Sequence, residues 1–124
     1  MNEPVRIEEQ PEAPLQITVE QPRADVAVLH LLGDLDLRTA PLLQAALRPL
    51  VQRTGGVLVD LRDVGFIGSA GLAELAGAHD AAKSSGAQVV LVASSHAVLR
   101  PLEVTGLAAL FTIHESVEAA LAGL

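Results

Sequence analysis

Residues 57–72 read Val-Leu-Val-Asp-Leu-Arg-Asp-Val-Gly-Phe-Ile-Gly-Ser-Ala-Gly-Leu, and this stretch decides the fold class. Its first five residues are almost continuously apolar, which is typical of a strand covered on both faces. Helical spacing starts at Ser69 and continues to Ser85, where Gly86 ends the predicted helix. The glycine-rich stretch 63–72 is therefore predicted to form a strand-to-helix loop, the place where open α/β sheets keep their binding sites.

The flanking segments continue the alternation of strands and helices. An alternating strand, a short turn and a more apolar strand predict an antiparallel hairpin over residues 15–20, 21–25 and 26–32. The next predicted helix covers residues 39–53, with Thr39 as its cap, Pro41 in its first turn and Pro49 bending or ending it. Further elements are predicted in the order strand, helix, strand, helix, over residues 88–93, from Ser94 or Ser95 to about 106, 112–114 and 116–121.

This pattern predicts an α/β fold with one domain over residues 15–124. The sheet is expected to be mixed and mostly parallel, with four to five strands, an N-terminal antiparallel hairpin and helices packed on it. Residues 1–14 carry three prolines among four glutamates, a composition that does not bury enough apolar surface to fold. They are predicted to form a flexible tail.

Composition excludes several classes of function. The net charge of −7 repels nucleic acids and anionic membranes, and only Phe66 and Phe111 are aromatic, so no platform for stacking bases is predicted. The chain has no cysteine, and no apolar stretch approaches the length that spans a bilayer. We expect a cytoplasmic protein whose partners present basic surfaces.

No motif for catalysis or for a cofactor is present. The glycine spacing in 63–72 differs from that of phosphate-binding loops, and Ile67 stands where a nucleophile elbow needs glycine. The four histidines are scattered singly, away from any zinc-binding pattern. The sequence therefore predicts no enzyme activity, no cofactor and no metal.

Two roles are compatible with the position of Ser69. A serine at a helix start commonly caps the helix through its hydroxyl, and local physics alone favours this role. The same place also suits a phosphate, which gains from the helix dipole and the free N–H groups while it adds charge to a binding surface.

Two motifs resemble the STAS family of anti-sigma factor antagonists. Residues 32–41, Leu-Gly-Asp-Leu-Asp-Leu-Arg-Thr-Ala-Pro, are similar to the family's turn after the second strand. Residues 59–72 resemble the stretch that leads into the family's phosphorylation loop, and residues 102–107 give a supporting match. The resemblance covers the chain from Leu15 to Leu121 and implies the STAS fold.

The resemblance also implies a mechanism. Ser69 aligns with the serine that is phosphorylated by an anti-sigma factor serine kinase and restored by a PP2C-type phosphatase. Unphosphorylated protein binds the anti-sigma factor, and phosphorylation releases it. The implied partner-binding residues are Asp34, Asp36, Thr39, Gly68, Ser69, Ala70, Gly71 and Leu72.

The loop departs from the family pattern at two positions. Gly68 stands where the family usually has aspartate, and Ala70 replaces a common second serine or threonine. The missing carboxylate leaves an alternative open, in which the same loop is an unphosphorylated docking surface of a signalling assembly or a transporter.

Overall fold

The computed structural model describes residues 14–124, so the predicted tail lies outside the described residues except for Pro14. The strands are β1 Leu15–Arg23, β2 Val26–Leu35, β3 Gly56–Ile67, β4 Gln88–Val92 and β5 Thr112–His114. The helices are α1 Ala40–Arg53, α2 Ser69–Ser85, α3 His96–Val104 and α4 Val117–Ala122, with a 3-10 turn at Leu107–Leu110.

The five strands form one mixed sheet in the order β1-β2-β3-β4-β5. β1 and β2 pair antiparallel, and every other neighbouring pair is parallel. Each parallel connection passes through a helix, as the crossover between parallel strands requires. The predicted fold class and the N-terminal hairpin are confirmed.

The two faces of the sheet are covered unequally. Helices α1, α2 and α3 pack on one face and bury the larger aliphatic core, which includes Leu43, Leu75 and Leu102. The short helix α4 covers only part of the other face, where Ala120 packs with Val28 and Leu58. Within residues 14–124, no helix covers the remainder of this second face.

Strands β1, β2 and β3 are longer than predicted. β3 continues to Ile67, so residues 63–67, predicted as loop, belong to the strand. Parallel pairing with β2 continues to the Leu35–Ile67 register, past two register shifts, and supplies the backbone hydrogen bonds. Val64 and Ile67 are buried in the core while Asp63 and Phe66 are exposed, and this mixed polarity made the segment resemble a loop.

The hairpin turn and the helix ends need smaller corrections. β1 extends to Arg23, so the turn is confined to residues 24–25. α1 continues past Pro49 to Arg53, so the proline does not end the helix. Ser95, rather than Ser94, is the N-cap of α3. In α4 the cap is Ser116, whose hydroxyl accepts a hydrogen bond from the Ala119 amide at 3.1 Å.

Candidate functional site

The site lies where the end of β2 meets the start of α2. The Gly68 amide donates a 2.8 Å hydrogen bond to the Leu35 carbonyl. Gly71 sits against the same residue so closely that an added Cβ would lie 2.8 Å from the Leu35 Cβ. The two sequence motifs, 32–41 and 59–72, are thus neighbours in space.

A network of hydrogen bonds fixes the turn between β2 and α1. The Thr39 hydroxyl accepts from the Asp36 amide at 2.9 Å and donates to the Asp34 carbonyl at 2.8 Å. The Asp36 carboxylate accepts from the amides of Arg38 and Thr39 at 2.9 and 3.1 Å. Thr39 is the N-cap residue of α1, as predicted, but it makes no side-chain capping hydrogen bond, because its buried hydroxyl points back into the turn.

Asp36 is held in its charged form. Partial burial works to raise the pKa of its carboxyl, but hydrogen bonds from the Arg38 side chain and from the Thr39 and Arg38 amides outweigh burial. The net effect lowers the pKa of Asp36 below its ordinary value. The Arg38 guanidinium lies 3.2 Å from the carboxylate, so the turn presents a paired charge.

Ser69 is exposed at the first position of α2. The capping residue is Gly68, whose extended backbone precedes the helix, so Ser69 is not the cap. Within the described residues, the Ser69 hydroxyl makes no side-chain hydrogen bond. The first helical bond runs from the Leu72 amide to the Gly68 carbonyl at 3.0 Å. The amides of residues 69–71 therefore have no acceptor within the helix and make the helix start electropositive.

An apolar surface lies beside Ser69. The Phe66 ring is 51% exposed, and it lies over Gly68, where an added Cβ would be 3.2 Å from ring atom Cε2. On the β2–α1 turn, Leu37 is 81% exposed. The sequence pattern did not mark either residue as a binding residue, although an exposed apolar patch rimmed by polar side chains is a signal for binding.

The predicted partner-binding residues differ in exposure. Asp34 and Ser69 are exposed, and three more are partly exposed: Asp36, Gly68 and Ala70. The remaining three are buried: Thr39, Gly71 and Leu72. The structure thus brings all eight to one edge of the sheet, but it divides them into a surface set and a supporting set.

Comparisons with known proteins agree with this architecture. The family model of the STAS domain matches residues 16–120. The chain belongs to the STAS domain family. The anti-sigma-B factor antagonist of Bacillus subtilis (strain 168) is 29% identical over 93 residues, which cover 75% of this chain and 84% of that protein. The anti-sigma-B factor antagonist of Listeria monocytogenes serovar 1/2a is also 29% identical, over 80% of this chain and 88% of its own.

A solved structure gives the same result. The crystal structure of an anti-sigma factor antagonist from Mycobacterium paratuberculosis superimposes with a TM-score of 0.81 at 31% identity. The match covers 90% of this chain and 96% of the other.

This STAS domain also contains a polar network that the sequence did not reveal. His30 Nδ1 lies 2.7 Å from the Asp60 carboxylate and its Nε2 lies 2.8 Å from the Glu20 carboxylate. Arg62 donates to both Asp60 oxygens at 2.9 Å. The sequence predicts no role for His30, because Asp60 is 30 residues away along the chain. Only the pairing of β2 with β3 brings the two side chains together.

The network shifts the pKa values of two members in opposite directions. Burial by itself lowers the pKa of His30, but hydrogen bonds with Glu20 and Asp60 raise it above its ordinary value. Burial by itself raises the pKa of Asp60, but hydrogen bonds from Arg62 and His30 lower it below its ordinary value. Both shifts favour the charged forms.

Within residues 14–124 of the STAS domain, no group of three or more His, Asp or Glu side chains is arranged to hold a metal ion. None of the helices in this range has the length and apolar character needed to cross a membrane.

Proposed function

We propose that this STAS protein is an anti-sigma factor antagonist in a partner-switching pathway, and that Ser69 is its switch. Unphosphorylated, it binds an anti-sigma factor serine kinase. Phosphorylation of Ser69 by that kinase releases it, and a PP2C-type phosphatase restores binding. The observation that carries the proposal is the Ser69 hydroxyl, exposed at the start of α2 with no side-chain hydrogen bond inside the described chain.

In this proposal, phosphorylation of Ser69 changes partner binding without unfolding the domain, since Ser69 is exposed at a helix start. A phosphate adds about −1.5 to −2 charges at neutral pH. The free amides of residues 69–71 and the helix dipole stabilise that charge on the domain itself. A partner that buries the same surface has to desolvate the phosphate, which costs several kcal/mol unless the partner pairs with it.

The predicted partner-binding residues take two roles in this proposal. Exposed Asp34 and Ser69 and partly exposed Asp36 contact the partner directly, together with the apolar side chains of Leu37 and Phe66. The buried residues Thr39, Gly71 and Leu72 hold the β2–α1 turn and the α2 start in position.

One observation favours the alternative of an unphosphorylated docking subunit. The residue before Ser69 is Gly68, so α2 begins without a side-chain cap and without a carboxylate beside the hydroxyl. In that alternative the same surface binds its partner constitutively, within a signalling assembly or as a subunit of a transporter.

One experiment separates these functions. The anti-sigma factor serine kinase from the same organism is purified, and its affinity for the wild type, Ser69→Ala and Ser69→Asp is measured by calorimetry. Phosphosite mass spectrometry follows incubation with ATP. Ser84→Asp is the matched control, since Ser84 is exposed at the opposite end of the same helix.

The proposal expects phosphate on Ser69, binding of the wild type and Ser69→Ala, and a loss of at least roughly tenfold in affinity for Ser69→Asp only. An unmodified Ser69 with equal binding of all variants establishes constitutive docking instead. A kinase that does not bind the wild type contradicts the antagonist function.

A further inference from the structure

Part of the second face of the sheet is left uncovered by α4. Strand pairing places its residues side by side, because Thr18 stands opposite His30, Leu32 opposite Asp63 and Asp34 opposite Phe66. We call this the open face, and its members are Gln16, Thr18, His30, Leu32, Asp34, Asp63 and Phe66. It ends at Phe66, beside the Ser69 surface.

The open face has an apolar centre. Leu32 is 50% exposed, and Phe66 is exposed to the same degree further along the face. A depression of about 280 Å³ lies around Leu32, lined by Gln16, Thr18, His30, Leu31, Leu32 and Asp63. Its size suits one long side chain, and its wall combines an aliphatic surface with polar groups.

The charge that remains unpaired on this face is negative. Asp34 and Asp63 are exposed and form no salt bridge with the described residues. The cationic groups nearby are already bound, His30 to Glu20 and Asp60, and Arg62 to Asp60. A cationic side chain that enters the depression therefore meets the carboxylate of Asp63, which forms no salt bridge with the described residues although it lies in the field of Arg62.

We propose that the open face is a second contact surface for the anti-sigma factor, and that the depression takes a lysine or arginine side chain from it. The aliphatic stem of that side chain packs on Leu32 and its cation pairs with Asp63. This inference rests on the proposed function and adds a contact away from Ser69.

Charge disfavours two other occupants. A second copy of the chain also carries a net charge of −7. The segment 1–13 contains four glutamates and a single arginine, so it is repelled by Asp34 and Asp63 as well.

The test measures the affinity of the full chain for the purified anti-sigma factor serine kinase, by calorimetry at two salt concentrations. Leu32→Ser and Asp63→Asn remove the apolar and the charged contact. Val104→Ser and Asp80→Asn are matched controls, since both residues are exposed on helices that pack on the opposite face. Each open-face variant is expected to bind the kinase roughly tenfold more weakly than the wild type does. Asp63→Asn is also expected to make the affinity less dependent on salt concentration, and both controls are expected to bind as the wild type does.

Each other outcome overturns the proposal in a distinguishable way. Normal binding by both open-face variants, with weak binding by Ser69→Asp, removes the second contact and leaves the proposed function intact. If the kinase does not bind the wild type, both the second contact and the proposed function are contradicted. A change of mass in analytical ultracentrifugation for Leu32→Ser assigns the face to a second copy. Tighter binding after deletion of residues 1–13 assigns it to the tail.

Discussion

The imidazole of His30 lies 2.7 Å from the Asp60 carboxylate, across two adjacent parallel strands. Since the pKa of His30 is raised in the folded state, its protonated form stabilises the fold. That contribution is fully present below the ordinary pKa of 6.5 and is lost as the pH rises through the higher folded value. We expect the free energy of unfolding to fall as the pH rises above about 6.5 and passes through the higher folded pKa, and to fall less in His30→Gln.

Urea unfolding at a series of pH values tests this prediction. His96→Gln is the control, because His96 is exposed on α3. If His30→Gln and the wild type show the same pH dependence, the interaction of His30 with Asp60 contributes nothing to it.

Gly68 and Phe66 are coupled through the space that the ring occupies. In Gly68→Asp, the new carboxylate caps α2 and interacts with its dipole, which is worth about 0.5–1 kcal/mol. The Phe66 ring has to move by a few tenths of an ångström to admit the Cβ. We therefore expect Gly68→Asp to stabilise the Phe66→Ala protein by more than it stabilises the wild type.

A double-mutant cycle measured by urea unfolding gives the coupling energy. Gly68→Ala, which adds the Cβ without a cap, separates the steric effect from the capping effect. Additive effects of Gly68→Asp and Phe66→Ala would show that the ring does not restrict position 68.

Gly71 is required for the contact between α2 and β2. An added Cβ would lie 2.8 Å from the Leu35 Cβ and 3.1 Å from Ile67 Cγ1, both within the core. Gly71→Ala is expected to lower the free energy of unfolding by about 1–3 kcal/mol, since overpacking forces the backbone to shift.

Gly77→Ala is the matched control on the same helix. There the added Cβ meets only the end of the Arg48 side chain, which is free to move. The gain in helix propensity of about 1 kcal/mol offsets the loss of the 3.6 Å ion pair between Arg48 and Glu74. Thermal melting of Gly71→Ala and Gly77→Ala compares their stabilities, and we expect Gly71→Ala alone to be clearly destabilised. Equal destabilisation would contradict the packing argument.

The Thr39 hydroxyl holds the β2–α1 turn. Thr39→Val removes the hydrogen bonds to the Asp36 amide and the Asp34 carbonyl in a buried place, which is expected to cost about 1–3 kcal/mol. Thr39→Ser keeps the hydroxyl and should lose less. Denaturant unfolding gives both values, and a larger loss for serine would assign the role of Thr39 to its methyl group.

The predicted and observed elements agree best where a periodic pattern is bounded by a strong local signal. α2 was predicted with its observed bounds, since helical spacing runs from Ser69 to a glycine at 86 with positive φ. β5 was also predicted at its observed bounds, 112–114. β3 was predicted too short, because the polarity of residues 62–66 depends on what the two faces of the sheet meet.

By itself, the sequence determined the order of strands and helices, the hairpin, and Ser69 at a helix start, since these depend on periodicity and on glycine and proline at neighbouring positions. Only the tertiary structure decided which distant residues the strand register brings into contact. The pairing of β2 with β3 joins His30 to Asp60, and the bond from Gly68 to Leu35 joins the two motifs. It also decided that Thr39 and Leu72 are buried and that Leu32 and Phe66 are exposed, because burial depends on which helices cover each face of the sheet.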